Sequence, residues 1–74
     1  MSSEKLVKWW IFCIYLAASE FKVLESTVYA WFTEYGIFEY TEENYETLHT
    51  QSAEFVLGSI LEKLRRNGFS EVPL

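Results

Sequence analysis

The side chains best suited to chemistry are one histidine, one cysteine and a cluster of glutamates. A nucleophile activated by a base needs both groups at a shared cleft, with a third group to orient the base. Cys13 lies in the most apolar stretch of the chain, where a thiol is inert, and there is no aspartate to orient His49. We therefore expect no catalytic residues and no enzymatic activity.

Glu46 and His49 have the Glu-x-x-His spacing found in helical bundles that bind two metal ions. Those bundles use two such pairs and two further glutamates, so a symmetric homodimer would have to supply the second pair. The same spacing arises easily by chance in a chain with eleven acidic residues, all of them glutamate. We expect no metal site and no cofactor. A homodimer that zinc or iron stabilises through Glu46 and His49 remains as an alternative.

Four glutamates follow one another closely in the middle of the chain: Glu39, Glu42, Glu43 and Glu46. Acid–base catalysis needs one carboxyl group in a dry pocket and another in water, whereas a run of this kind usually forms a solvated face. A second use of such a face is to dock a basic partner. The sequence predicts a solvated acidic face that also steers a basic partner protein.

His49 belongs to the stretch "LHTQ", where one helical pattern gives way to the next. Thr50 or Ser52 can cap the following helix by accepting hydrogen bonds from its first free N–H groups. The His49 ring can stack on a neighbouring ring and donate to an unpaired carbonyl. We interpret the stretch as a corner between two helices, with recognition of a partner by His49 as the alternative.

Four segments with helical patterns position these residues. The first, from about Glu4 to Glu20, is apolar almost all round, which is typical of a helix buried on most sides. The second, from about Glu25 to Tyr35, has one apolar stripe, and Gly36 suits the left-handed cap that ends a helix. The stripe consists of Val28, Trp31, Phe32 and Tyr35.

The third segment, from about Phe38 to Leu48, is short, and the fourth, from about Gln51 to Asn67, has the clearest helical period. Gly58 lies inside the fourth segment, where glycine costs roughly 1 kcal/mol relative to alanine. It indicates either the close approach of another helix or chance. The apolar face of the third segment comprises Ile37, Thr41, Tyr45 and Leu48. That of the fourth comprises Ala53, Val56, Leu57, Ile60, Leu61 and Leu64.

The length of 74 residues predicts a single domain over residues 1–74, all-α, with four helices, an apolar first helix and a short third helix. The preference for glutamate over aspartate supports this class, because glutamate tolerates helix interiors. A net charge of −5 argues against binding to nucleic acid or to an anionic membrane surface. The C-terminal stretch "FSEVPL" is expected to lie on the surface or to be mobile.

A lone cysteine allows no disulfide within the chain, which favours a cytoplasmic location. The apolar run from Trp9 to Ala18 is too aromatic for a typical signal peptide. It is also shorter than the roughly 20 apolar residues that cross a bilayer. We expect neither secretion nor membrane insertion.

The four segments are unequal in apolar surface. Three narrow stripes cannot fully cover a first helix that is apolar all round, and an uncovered apolar patch usually marks an interface. The sequence therefore predicts a homodimer or a complex with another protein, anchored by Trp9, Trp10 and Phe12. The alternatives are a compact monomer with this helix at its centre, and a small-molecule pocket between the aromatic helices.

Two motifs cover the middle of the chain. Residues Val28 to Gly36 read "VYAWFTEYG", and residues Glu43 to Gln51 read "ENYETLHTQ". With the apolar first helix, these motifs resemble a family of small bacterial domains of unknown function. Thr41 departs from that family, in which this position is often apolar. The resemblance implies an accessory or antitoxin-like partner of a co-encoded protein related to ADP-ribosyltransferases.

Overall fold

The computed structural model describes residues 3–70, which form an all-α domain, as the sequence predicts. The predicted first, second and fourth segments each correspond to one helix, with ends that agree within a few residues. Five helices follow one another in the described part of the chain: α1 Ser3–Phe21, α2 Glu25–Glu34, α3 Ile37–Glu43, α4 Tyr45–Leu48 and α5 Ala53–Arg66.

The predicted third segment is divided into α3 and α4 at Asn44, so the structure has five helices where the sequence predicts four. Asn44 adopts φ −106° and ψ 16°, and its side-chain amide donates to the Tyr40 carbonyl over 2.8 Å. Such a side-chain bond competes with the helical backbone bonds. The face predicted for this segment is nevertheless kept, because Ile37, Thr41, Tyr45 and Leu48 are all buried.

Helix α1 is at the centre of the packing, against α2, α3 and α5. The core draws on every helix and on Phe69, which lies three residues beyond the end of α5. Its buried apolar members are Trp9, Cys13, Ala17, Ala18, Val28, Phe32, Ile37, Tyr45, Leu48, Val56, Ile60, Leu64 and Phe69. Thr41 is the buried polar residue among the described residues, and its hydroxyl donates to the Phe38 carbonyl over 3.0 Å. That bond is what lets a polar side chain occupy a core position.

Helix α5 begins and ends with well-formed caps. The Ser52 hydroxyl accepts a hydrogen bond from the Phe55 N–H over 3.1 Å, as predicted for this position. At the other end Gly68 has φ +102°, and the Phe69 N–H donates to the Leu64 carbonyl over 3.0 Å. This is the Schellman arrangement of a helix C-terminus.

Phe69 corrects the prediction that "FSEVPL" lies on the surface. Its ring is buried against Phe21, Trp31 and Tyr35, with ring centres 4.8 to 5.8 Å apart. The Schellman arrangement turns this residue back toward the helix and so into the core. Ser70 is exposed, and residues 71–74 of that prediction lie outside the described residues.

The structure decides between the two explanations that the sequence allows for Gly58. A Cβ atom at Gly58 would meet nothing within 4 Å, and the residue is exposed. Close approach of another helix therefore does not explain this glycine within the described fold. It remains a helix-interior glycine whose backbone entropy disfavours folding.

Candidate functional site

Both faces of α1 carry apolar side chains, but these side chains have different surroundings. Trp9, Cys13 and Ala17 point into the core and are at most 7% exposed. The opposite face carries Ile11 and Tyr15, which are 57% and 59% exposed. At 100° per residue these two side chains project away from the Trp9–Cys13 stripe. The outer face of α1 thus presents apolar side chains to water, beside the ion pair between Glu4 and Lys8.

An apolar groove adjoins this face, where α1 meets α2 and α3. Its volume is about 480 Å³. It continues along α1 and α2 as a second depression of about 430 Å³, which Glu25 and Ser26 border. The groove itself is lined by Val7, Trp10, Ile11, Ile14, Tyr29 and Phe38. We use the term apolar groove for the surface formed by these six residues.

Aromatic contacts hold the shape of the apolar groove. The Phe38 ring lies edge-to-face against Trp10 and Tyr29, with ring centres 5.3 and 5.2 Å apart. It also contacts the buried Phe32 at 5.4 Å. Pairs of this geometry contribute about 0.5–1.5 kcal/mol beyond the area that they bury. The groove is therefore built on a fixed aromatic base that is continuous with the core.

The two adjacent tryptophans have different roles in the structure. The Trp9 indole N–H donates to the Thr41 carbonyl over 3.0 Å, and its ring meets Tyr45 edge-on. Trp10 is half-buried, and its indole N–H is enclosed without a hydrogen-bond partner in the described part of the chain. Trp9 joins α1 to α3 and α4, whereas Trp10 forms a wall of the groove.

The three predicted anchors are therefore not together at one surface. Trp9 belongs to the core, and Trp10 lines the apolar groove. Phe12 is 39% exposed and leans on Trp9, with ring centres 5.8 Å apart. Their role as binding anchors stays a prediction. Only Trp10 and Phe12 present a surface that a partner can reach.

The acidic residues behave as a solvated face in the described structure. Glu39, Glu42, Glu43 and Glu46 are all exposed, and none forms an ion pair within residues 3–70. Glu42 lies one helical turn beyond the groove residue Phe38, and Glu25 borders the second depression, into which the groove continues. Unpaired carboxylates are thus present on α3 beyond Phe38 and beside the second depression.

His49 occupies the corner predicted for it. Its ring stacks on Tyr45 with centres 4.4 Å apart and planes 2° from parallel, and Nδ1 lies 2.7 Å from the Tyr45 carbonyl oxygen. A carbonyl oxygen only accepts, so Nδ1 carries the proton in this bond. The contacts seen at His49 are architectural, and its recognition of a partner remains a prediction.

The two residues of the metal hypothesis lie about one helical turn apart. Glu46 is in α4, and His49 is the C-cap of that helix. Within residues 3–70 no group of three or more His, Cys, Asp or Glu side chains is placed to hold a metal ion. A metal-stabilised homodimer would need further ligands from a second chain. That hypothesis remains a prediction.

Cys13 is fully buried, and burial raises the pKa of its thiol from 9.0 to about 12. Desolvation disfavours the thiolate, and the thiolate is the nucleophilic form. Burial is the cause of this pKa shift at Cys13. Its environment is that of a small apolar core residue.

Sequence reasoning missed most of the groove, namely Val7, Ile11, Ile14, Tyr29 and Phe38. A signal was present for part of it, because Val7, Ile11 and Ile14 recur at spacings of four and three along α1. No sequence pattern distinguishes this stripe from the core stripe of the same helix. Tyr29 and Phe38 come from other helices and join the groove only through the fold.

The fold and the groove define a small all-α domain that leaves one apolar helix face uncovered. The chain belongs to the family described as protein of unknown function (DUF3791), whose model matches residues 8–67. This confirms the resemblance seen in the motifs. Neither the curated proteins nor the solved structures gave a match to the chain. Among the helices of residues 3–70, none has the length and apolar character required to traverse a bilayer.

Proposed function

We propose that this chain is a non-enzymatic protein-interaction module whose partner binds the outer face of α1 and the apolar groove. The observation that carries the proposal is the exposure of Val7, Ile11 and Tyr15 on the helix at the centre of the fold. Folding alone gives no reason to keep apolar side chains there. Contiguous exposed apolar surface beside polar residues is characteristic of interaction sites.

The composition of the groove supports a protein partner. Interface energy concentrates in tryptophan and tyrosine side chains at the centre of a contact, surrounded by residues that exclude water. Trp10 and Tyr29 would form such a centre, with Ile11 and Ile14 beside them. We propose Trp10 as the principal anchor and Phe12 as a contact at the margin.

The acidic face supports a basic partner. Unpaired carboxylates at Glu42, Glu43 and Glu46 would raise the rate at which a positively charged surface meets the groove. The same charges oppose approach to nucleic acid phosphates. We propose a cytoplasmic location, which the lone buried cysteine supports, and a dedicated protein partner rather than nucleic acid or membrane.

Affinity capture from the native host tests this function with matched variants. Tagged wild-type protein is compared with Ile11→Ser in the groove and with Phe55→Ser, whose side chain is 51% exposed on α5. We expect one stoichiometric partner with the wild type and with Phe55→Ser. Ile11→Ser should retain at least about fivefold less of it, because one buried anchor contributes more than about 1 kcal/mol.

Equal recovery by all three proteins would contradict the groove as the binding site. Circular dichroism and thermal unfolding show that each variant is folded before capture. A partner encoded beside this chain would define the domain as an accessory, antitoxin-like subunit. Recovery of the chain alone would identify a homo-oligomer instead.

A small apolar ligand is a second candidate occupant of the groove. The volume of about 480 Å³ lies within the range of roughly 300–1,000 Å³ that small-molecule sites occupy. Native mass spectrometry of protein purified without denaturation tests this candidate. A bound species that the Ile11→Ser variant lacks would support it, and a mass equal to that of the chain would contradict it.

A further inference from the structure

We propose that the occupant of the apolar groove is an amphipathic α-helix of another protein, with lysine or arginine residues flanking its apolar face. This inference rests on the proposed function and adds the chemistry of the partner. It follows from two independent properties of the groove. One is the helical spacing of the side chains along its wall, and the other is the unpaired carboxylates in its surroundings.

The first property is the period of the groove wall. Val7, Ile11 and Ile14 recur along α1 over about two turns, a length of roughly 10 Å. Tyr29 and Phe38 form the opposite wall. Ridges with this period accept side chains at positions i, i+3 or i+4, and i+7 of a second helix. Residues 3–70 contain no strand, so a partner strand would find no sheet edge to extend there.

The second property is charge. Glu25 borders the second depression, into which the groove continues, and Glu42 lies one helical turn beyond the groove residue Phe38. Neither carboxylate forms an ion pair within the described residues. The cation on the outer face of α1, Lys8, is already paired with Glu4 at 3.4 Å. The surroundings of the groove therefore offer uncompensated negative charge.

Charge also discriminates between the two classes of occupant. A second copy of this chain would bring another net charge of −5 to a groove that already has unpaired carboxylates. Juxtaposed like charges oppose association. A helix with basic flanks would instead complement Glu25 and Glu42 while its apolar face fills the groove.

Two synthetic peptides test the inference. Each is about 18 residues long, sufficient for a stable helix, with leucines at 3-4 spacing. One has lysine and arginine on its flanks, and its twin has glutamate at the same positions. Fluorescence anisotropy should show the basic peptide binding at least about tenfold more tightly at low ionic strength, with the difference shrinking as salt is added.

Variants of the chain locate the contact. Ile11→Ser and Tyr29→Ser change exposed groove residues and should weaken the basic peptide at least about fivefold. Phe55→Ser changes an exposed apolar residue on α5, away from the groove, and should leave its affinity unchanged. The double variant Glu25→Gln and Glu42→Gln should reduce the difference in affinity between the two peptides. It should not weaken binding of the acidic peptide.

Equal affinity for the two peptides, or full affinity in the groove variants, would overturn the inference. So would a homodimer in light scattering that Ile11→Ser converts to monomer, because the second copy would then cover the groove. In that last outcome the groove would still bind a protein, so the inference would fail while the proposed function would stand. The proposed function itself fails only if capture of the partner is insensitive to Ile11→Ser.

Discussion

Helices α1 and α5 both supply a stripe to the core, but their other faces differ. Helix α5 buries Val56, Ile60 and Leu64 and presents Glu62 and Arg66 to water, paired at 2.8 Å. Phe55, in its first turn, is an exposed exception. Helix α1 presents Val7, Ile11 and Tyr15 to water in addition to the ion pair between Glu4 and Lys8. The requirements of folding explain the residue types at nearly every position of α5, but in α1 they explain only those of the buried face.

This difference shows that an apolar residue in α1 does not have to be a core residue. Burial of an apolar side chain contributes to stability roughly in proportion to the area removed from water. Ile11 and Tyr15 remain largely hydrated and so contribute little to folding. Their apolar character is explained if their burial takes place on binding.

The largest expected effect separates two isoleucines. Ile60→Ala in α5 should lower the free energy of unfolding by about 2–5 kcal/mol, because Ile60 is fully buried. Ile11→Ala in α1 should change it by no more than about 0.5 kcal/mol, because the side chain is 57% exposed. Urea unfolding measures both values. Similar losses for the two variants would contradict the distinction between core and outer face.

The next effect separates the two tryptophans. Trp9→Phe leaves the buried Thr41 carbonyl without its donor, which costs about 1–3 kcal/mol. Trp10→Phe removes an indole N–H that has no partner, so no hydrogen bond is lost. Both changes remove the same atoms, and chemical denaturation should show the larger loss for Trp9→Phe. A larger loss for Trp10→Phe would contradict the conclusion that Trp9 is the tryptophan that supports the fold.

A smaller effect, of opposite sign at two positions, concerns Gly58 inside α5 and Gly68 just beyond its end. Gly58→Ala should raise the free energy of unfolding by about 1 kcal/mol, because the new methyl group meets open space in a helix interior. Gly68→Ala should lower it by about 1 kcal/mol, because its φ of +102° disfavours any side chain. For a domain of this size each change shifts the melting temperature by about 4–8 °C. Destabilisation by Gly58→Ala would indicate a neighbour that the described fold lacks.

The smallest effect near neutral pH concerns Cys13. Because its pKa is raised in the folded state, its stabilising contribution is complete below pH 9 and declines as the pH rises from 9 toward 12. The stability difference between wild type and Cys13→Ala should therefore shrink across that interval. Denaturant titrations at several pH values measure it. A difference that stays constant would mean that the thiol titrates in the folded state as it does in the unfolded chain.

The sequence predicts the helices of this domain well because their apolar residues recur with a helical period. It also predicts the Ser52 cap and the corner at His49, since both depend on neighbours in the chain. The division at Asn44 is harder to predict, because an asparagine side chain that bonds to the backbone can bend a helix or end it. The burial of Phe69 depends on the Schellman turn at Gly68 together with rings from two other helices.

The candidate site is less predictable than the fold. The excess of apolar surface on α1 is visible in the sequence, but the choice between Trp9 and Trp10 is not. Both tryptophans fit an apolar helix, and only the position of Thr41 on α3 draws Trp9 into the core. Tyr29 and Phe38 become groove residues through contacts between helices that no local pattern encodes.

Site-specific photo-crosslinking in the native host tests the central claim most directly. A benzophenone side chain is introduced in place of Ile11 on the outer face of α1 or, as the control, in place of Phe55 on α5. Both positions are more than half exposed, at 57% and 51%. We predict a covalent adduct with one discrete protein from position 11 and no discrete adduct from position 55. The same adducts from both positions, or none from position 11, would contradict the assignment of this face as the binding surface.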